Sequence, residues 1–427
     1  MRVQIAYGKE GLTVELPAGA RVTVLEPPFA PGLPDEPAAL RQALRQPIQS
    51  RPLRAIVQRG QRVAVVFSDI TRPMPNDRVL PIVLEEIEAG QPAEILLINA
   101  LGTHRANTPD ELERMLGRQI VSRYRIIQHD PWDAASLVSL GTSSFGHPLS
   151  VNRAYLEADV RVLTGFIEPH FFAGFSGGPK AVLPGVAGQE TILYNHSTPM
   201  LNHPNVRWGV MEGNPVWQEM AECAERTSPS FLVNVALNSQ RQITGVFAGD
   251  WRAAHAAGAA FVREHAMIEV CERFDIVLTS NAGYPLDLNL YQAVKGMSAA
   301  AQVVKRGGHI IVAAECWDGL PDHGEYRRLL HSGRDPRHLL ELMSEPGFLV
   351  RDQWEVAVQA KIQLEAQVYL KSSYLSDEEV RGAHLTPCHD VSRLVAELAA
   401  QIGPEASICV LPQGPLAIPF IAACHTP

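Results

Sequence analysis

Runs of consecutive apolar residues alternate along this chain with stretches in which apolar positions recur at helical spacing. Residues 63–67 (VAVVF), 95–100 (ILLINA) and 160–163 (VRVL) each read as a buried strand, and helical patterns at 76–88 and 109–116 follow the first two. Strands that are apolar on both faces belong in a parallel sheet covered by helices on both sides. Before them, MRVQIAYGKEGLTVELPAG alternates as a hairpin around a Gly-Lys-Glu-Gly turn, a Pro-rich connection covers 26–37, and a helix is expected over 38–45. YRIIQHD is a shorter strand, and 149–158 reads as another pair of extended pieces. A helix over 214–226 has Asn214 as its cap and Pro215 in its first turn. FLVNVALN and ITGVFAGD form a hairpin, and an Ala-rich helix covers 250–265. A second α/β pattern then begins, with strands FDIVLTS and HIIVAAE, helices at 288–305, 335–343 and 352–364, and a late strand ICVLP. The expected fold is α/β: two α/β domains, residues 1–268 and 269–427, with mostly parallel, helix-covered sheets and an interdomain cleft at the carboxyl edges of the strands. The last strand is free to return to the first domain.

Polar clusters follow directly on the predicted core strands. They are Ser68-Asp69-Ile70-Thr71-Arg72-Pro73, Gly102-Thr103-His104-Arg105, the loop over 168–180, and Ser280-Asn281-Ala282-Gly283-Tyr284-Pro285. Open α/β sheets bind ligands at that edge, so four clusters there point to a shared site. The longest loop has five glycines between Gly174 and Gly188, one lysine, Lys180, and histidines at either end, His170 and His196. Such glycines let backbone amides approach an anion. GFSGGPKA is not a phosphate-binding Walker loop, because Pro179 precedes the lysine and no Ser or Thr follows it. Lys180 is left with two readings: a phosphate-binding or solvated lysine, or a covalent one activated by its apolar surroundings.

Other single residues keep two readings as well. His170 beside Phe171 and Phe172 suits a hydrogen-bonded core position, yet with His104 at the same edge it can also exchange protons near neutral pH. His196 can ligate a metal. Arg72 and Lys295 can bind a carboxylate or close a salt bridge at a helix end. Asp69 can cap its turn or accept a sugar hydroxyl. Cys388-His389-Asp390 is a helix N-cap region, since three adjacent residues cannot make a triad by themselves.

The chain has 427 residues, 46% hydrophobic and 19% charged, and its 37 basic against 46 acidic residues give a net charge of −9. That balance argues against nucleic acid and anionic membranes as partners. The first residues lack the apolar core of a signal peptide, and no run of 18 apolar residues is present. The six cysteines, Cys223, Cys271, Cys316, Cys388, Cys409 and Cys424, form no C-x-x-C pair and read as reduced thiols, so a cytoplasmic location is expected.

SDITRP (68–73), GTHR (102–105), EPHFFAGFSGGPKAVLPGVAG (168–188), NHS (195–197), GNPV (213–216), YPLDLNLYQAVKG (284–296), DQWE (352–355) and VLPQGP (410–415) together resemble the nickel-pincer lactate racemases and their 2-hydroxyacid racemase and epimerase relatives. The resemblance implies that Lys180 carries, through a thioamide, a nickel-pincer nucleotide, pyridinium-3-thioamide-5-thiocarboxylic acid mononucleotide. Its Ni is held by two sulfurs and a ring carbon, with His196 as the protein ligand. It further implies His104 and His170 as the acid/base pair, and Arg72 and Lys295 as carboxylate binders with Tyr291, Gln292 and Trp354 nearby. Asp69, Thr71 and the Gly177-Gly178 backbone would help seat the cofactor. The first domain would thus hold the cofactor loop and both catalytic histidines, and the second would contribute substrate-binding residues.

The implied reaction moves a hydride from C2 of a 2-hydroxyacid to the pincer ring as a histidine takes the hydroxyl proton, and returns it to the other face of a 2-ketoacid. Proteins that make the cofactor would be required partners, beside the small 2-hydroxyacid substrate. The residues following His104-Arg105, Ala106-Asn107, depart from an expected proline-containing turn, which leaves lactate, malate, longer acids and sugar acids all open. Three other readings compete: a Schiff-base lysine enzyme acting on a carbonyl substrate, a non-catalytic nucleotide-binding or cofactor-carrying protein, and a zinc hydrolase using His104, His170 and His196.

Overall fold

The computed structural model describes residues 1–28, 30–321 and 324–422, which leaves Cys424 outside the described residues. The chain divides into two compact units, and the division is not a single cut. One contains residues 29–195 and 203–265. The other contains residues 1–28, 196–202 and 266–427.

The first of these units is built on a six-stranded sheet in the order Ile243–Gly249, Phe231–Leu237, Val160–Phe166, Arg62–Ser68, Glu94–Ala100, Arg125–Gln128. Every neighbouring pair is parallel except the hairpin formed by the first two. Val63, Val65, Phe67, Leu97, Val162 and Val233 are fully buried or nearly so, in one core with Leu80, Val83 and Ile87 of the helix Asn76–Glu88. This is the covering that the unbroken apolar runs require. Helix Pro109–Leu116 opens with a capping box from Thr108 and Glu111. The expected pair of extended pieces at 149–158 is instead one strand, Pro148–Asn152, and a short helix, Arg153–Leu156, because the Asn152 side chain caps it by accepting from Tyr155 N–H.

The second unit carries a six-stranded, wholly parallel sheet in the order Thr386–Pro387, Gln367–Lys371, Val304–Ala313, Phe274–Ser280, Ser407–Leu411, Arg21–Val24. Its outermost strand changes which residues belong with the second domain, while the two units still divide between residues 265 and 266, close to the expected 268. Arg21–Val24 pairs with Ser407–Leu411, and this pairing draws the start of the chain into the later unit. The late strand ICVLP forms as Ser407–Leu411 between Phe274–Ser280 and Arg21–Val24, and a further short strand, Ile418–Ile421, lies parallel to Met267–Val270. The helix expected over 288–305 ends at Ala301, since Val304 already begins the next strand. Asp390 caps helix Val391–Ile402 by accepting from Arg393 N–H, as the N-cap reading of Cys388-His389-Asp390 requires. Among the described residues no helix is long and apolar enough to cross a membrane.

Candidate active site

Three adjacent strands of the first sheet, Val160–Phe166, Arg62–Ser68 and Glu94–Ala100, run parallel, so their carboxyl ends fall on one edge. Their continuations carry His170 and Lys180, Asp69 to Arg72, and His104 respectively. Adjacent parallel strands thus gather residues that lie far apart in sequence.

Asp69 is 2% exposed. One carboxylate oxygen accepts the Thr71 backbone N–H at 2.7 Å and its hydroxyl at 2.6 Å, and the other meets His104 Nδ1 at 2.6 Å. Burial pushes the Asp69 pKa up, but the charge and hydrogen bond of His104, with Arg72 and the Thr71 hydroxyl, outweigh it and hold the group down at about 2. An ionised carboxylate only accepts, so Nδ1 of His104 must carry a proton and its lone pair is left at Nε2.

His170 is wired the other way. It sits in a two-residue ladder, Pro169–His170 against Gly174–Phe175, and its Nδ1 accepts long bonds from the backbone N–H groups of Phe172 (3.4 Å) and Ala173 (3.3 Å). Two obligate donors at Nδ1 place the ring proton on Nε2. The ring stacks on Phe171 at 4.8 Å and meets the edge of Phe172 at 4.4 Å. Half-buried Lys180 lies in the short turn Gly178–Ala181 with Nζ 5.1 Å from the Phe172 ring centroid. His170, Phe172 and Lys180 therefore share one patch of the loop.

Two buried residues that sequence reasoning missed shape this turn. Gly178 N–H donates to Asn234 Oδ1 at 2.9 Å, so that amide is used within the protein and does not line an anion nest. A β-carbon on Gly178, whose φ is +52°, would sit 2.5 Å from the His255 ring, and His255 Nε2 donates to the Ser176 carbonyl at 2.9 Å. Full burial drives the His255 pKa down to about 4, so this histidine is a neutral support. A signal existed for each: Asn234 is the polar residue inside the run FLVNVAL, and His255 stands among alanines in WRAAHAAGAA.

The remaining candidates belong to the second unit. Trp354 Nε1 donates to Tyr291 Oη at 2.8 Å, the edge of its ring meets His196 with 5.2 Å between centroids, and Lys295 Nζ donates to Gln292 Oε1 at 2.9 Å. Tyr291, Gln292 and Lys295 lie within the first two turns of helix Leu290–Ala301, whose cap is Asn289. The structure therefore joins His196, Trp354 and Tyr291 in one line of contacts, and places Gln292 and Lys295 on the same helix.

Residues 7–209 match the lactate racemase N-terminal domain and residues 270–418 the lactate racemase C-terminal domain. Lactate racemase from Thermoanaerobacterium thermosaccharolyticum is 35% identical over 418 residues, 96% of this chain and 97% of its own. The chain belongs to the lactate racemase family. Membership makes it an isomerase of the racemase type. Lactate racemase from Lactiplantibacillus plantarum is likewise 35% identical, over 89% of this chain and 90% of its own. The structure of the Thermoanaerobacterium thermosaccharolyticum lactate racemase apoprotein superposes with a TM-score of 0.91 at 34% identity, covering 98% of this chain and all (100%) of that one. A Thermotoga maritima protein at 19% identity and TM-score 0.71 covers 92% of this chain and shares the fold.

Proposed function

We propose that this racemase inverts C2 of a small 2-hydroxyacid, with a nickel-pincer nucleotide attached to Lys180. The observation that carries the reading is the opposite wiring of two histidines that follow the carboxyl ends of one sheet: His104 with its lone pair at Nε2, His170 with its proton there. Lactate, the acid in the names of the relatives, is the first substrate to test.

The residues present suit the cofactor. Lys180 is half-buried in a turn whose shape Asn234 and His255 fix, as a tethering lysine must be. Among the described residues no three His, Cys, Asp or Glu side chains gather to hold a metal ion, and His196 would be the protein's own donor to a nickel brought by the nucleotide. When bound, the nucleotide would supply an acceptor and donor of hydride.

The chain's own groups handle protons and orientation. His104 receives the substrate hydroxyl proton at Nε2, and the cation it becomes is stabilised by the Asp69 carboxylate beside Nδ1. For the opposite enantiomer His170 takes the matching role, which requires its ring to exchange the long Phe172 and Ala173 amide contacts at Nδ1 for a proton there; the imidazolium then gives its Nε2 proton to the substrate oxygen and returns to a neutral ring. Arg72 and Lys295 serve the substrate carboxylate, with Tyr291, Gln292 and Trp354 shaping its surroundings, while Asp69, Thr71 and the Gly177-Gly178 turn position the nucleotide. The five described cysteines are free thiols, which suits a cytoplasmic enzyme. Proteins that synthesise the nucleotide are its partners.

The test is intact mass and nickel analysis of the chain produced alone and alongside pincer-cofactor biosynthesis proteins, with chiral chromatography of lactate and longer 2-hydroxyacids. A nickel-bearing adduct that maps to Lys180, is lost in Lys180→Ala and accompanies racemisation is the expected result. Unmodified Lys180 under full loading would overturn the reading.

A further inference from the structure

His196 lies in a seven-residue piece, residues 196–202, that belongs to the unit built from residues 1–28 and 266–427, although the residues on either side belong to the other unit. Something in its own unit must hold it, and the contacts come from one helix, Gln353–Glu365. Trp354 presents its ring to the His196 imidazole. Lys361, seven residues and two turns further along the same face, donates from Nζ to the Leu201 carbonyl at 2.7 Å.

That carbonyl ends the helix Thr198–Leu201, where backbone acceptors lack partners within the helix and the dipole favours a cation. Between it and His196 the backbone is one closed turn: Leu201 N–H donates to the Ser197 carbonyl and Asn202 N–H to the Thr198 carbonyl, both at 2.9 Å. A turn closed in this way moves as a body, so fixing its last carbonyl fixes its first residues. His196 itself is 4% exposed, and the side chain of Lys361 is half-buried, with burial lowering its pKa. A half-buried ammonium whose charge meets a helix end is placed for more than solubility.

We propose that Lys361 is a positioning residue for His196, holding the turn that carries the imidazole so that the ring meets its ligand in one orientation. The inference rests on the reading of His196 as the protein's nickel ligand, but its first test does not need the cofactor.

In the apoprotein, carbethoxylation by diethyl pyrocarbonate is followed at each histidine by peptide mass mapping. In Lys361→Met the rate at His196 is expected to rise about tenfold, the loss of one charge-assisted hydrogen bond. The rates at His104 and His170 and the thermal midpoint should stay near wild type, and Lys361→Arg should restore most of the protection. Lys361→Gln, which keeps a shorter donor, serves if the methionine variant does not fold. An unchanged rate at His196 in a folded variant, equal acceleration at all histidines, or no rescue by arginine overturns the proposal.

In the loaded enzyme the same variant should keep the mass adduct on Lys180 while losing nickel faster to a chelator. Absence of the adduct from the wild type would refute the proposed function, and the carbethoxylation rates would still decide the role of Lys361.

Discussion

His104 and His170 follow strands of the same sheet, yet the chain supports them by opposite means. At His104 the support is charge: a buried carboxylate, itself fastened by the Thr71 amide and hydroxyl, holds Nδ1–H. At His170 the support is neutral: two backbone amides at Nδ1, two phenylalanine rings, and under the following turn a fully buried, uncharged His255. The carboxylate fixes a proton on Nδ1 of the one ring, whereas the amide donors leave Nδ1 of the other without one. Two histidines that follow strands of one sheet are thus made unequal by what stands behind Nδ1. A racemase must nevertheless run in both directions.

The largest effects come from removing either ring. In the loaded enzyme His104→Ala and His170→Ala should each lower kcat by about 10²–10⁴-fold, the range of a general acid or base. Racemisation of a single-centre acid has an equilibrium constant of unity, so kcat/KM must fall equally for both enantiomers in each variant. The inequality of the two histidines should therefore appear in how kcat and KM divide, oppositely for the two enantiomers in the two variants. Identical division in both variants would mean that the wiring around Nδ1 has no kinetic consequence.

Acid should separate the two supports next. His255 falls from an ordinary 6.5 to about 4 in the folded chain. The unfolded chain binds the extra proton first, so the stability this group contributes is complete above about pH 6.5 and is lost as pH falls toward about 4, about 3 kcal/mol in all. Asp69, lowered from 3.8 to about 2, keeps its contribution until below about pH 4 and loses it only toward pH 2. Urea unfolding between neutral pH and pH 4.5 should show wild type losing stability relative to His255→Gln, whose side chain has no proton to gain. Parallel curves for the two proteins would show that His255 does not govern acid tolerance.

Most of this framework was legible in the sequence because its signals are local. The apolar runs at 63–67, 95–100 and 160–163 and the helix at 76–88 fall where the pattern places them, and the polar clusters after three of these runs converge because parallel neighbours share an edge. Arg21–Val24 gave no sign of its sheet, since its partner Ser407–Leu411 lies almost four hundred residues away and strand pairing over such a distance leaves no mark on local periodicity. Asp69 was legible as a turn cap, which it is, but its second oxygen's bond to His104 depends on two loops from adjacent strands. Asn234 and His255 are polar residues within apolar or alanine-rich runs, but only the fold shows that both face the turn before Lys180.

The smallest test concerns Thr71, the one neutral group in the charged support. Its hydroxyl and its backbone N–H converge on the same Asp69 oxygen at 2.6 and 2.7 Å, and the hydroxyl also lies 3.4 Å from His104 Nδ1, so valine, which keeps the shape and the amide, deletes one short hydrogen bond and one long contact and leaves the 2.6 Å bond from Asp69 to His104 in place. A neutral donor of this kind is worth about 1 kcal/mol, which predicts a similar loss in urea stability for Thr71→Val and near-complete recovery for Thr71→Ser. The stability difference should disappear as pH falls toward 2, because the hydroxyl helps hold the Asp69 pKa down and its contribution goes when that carboxylate is protonated. Kinetically, the same variant should change kcat by only a few-fold, with the division between kcat and KM shifted in the direction seen for His104→Ala and not for His170→Ala. A Thr71→Val enzyme resembling a weak His170 variant would place Thr71 with the other histidine's machinery and break the distinction between a charged and a neutral support.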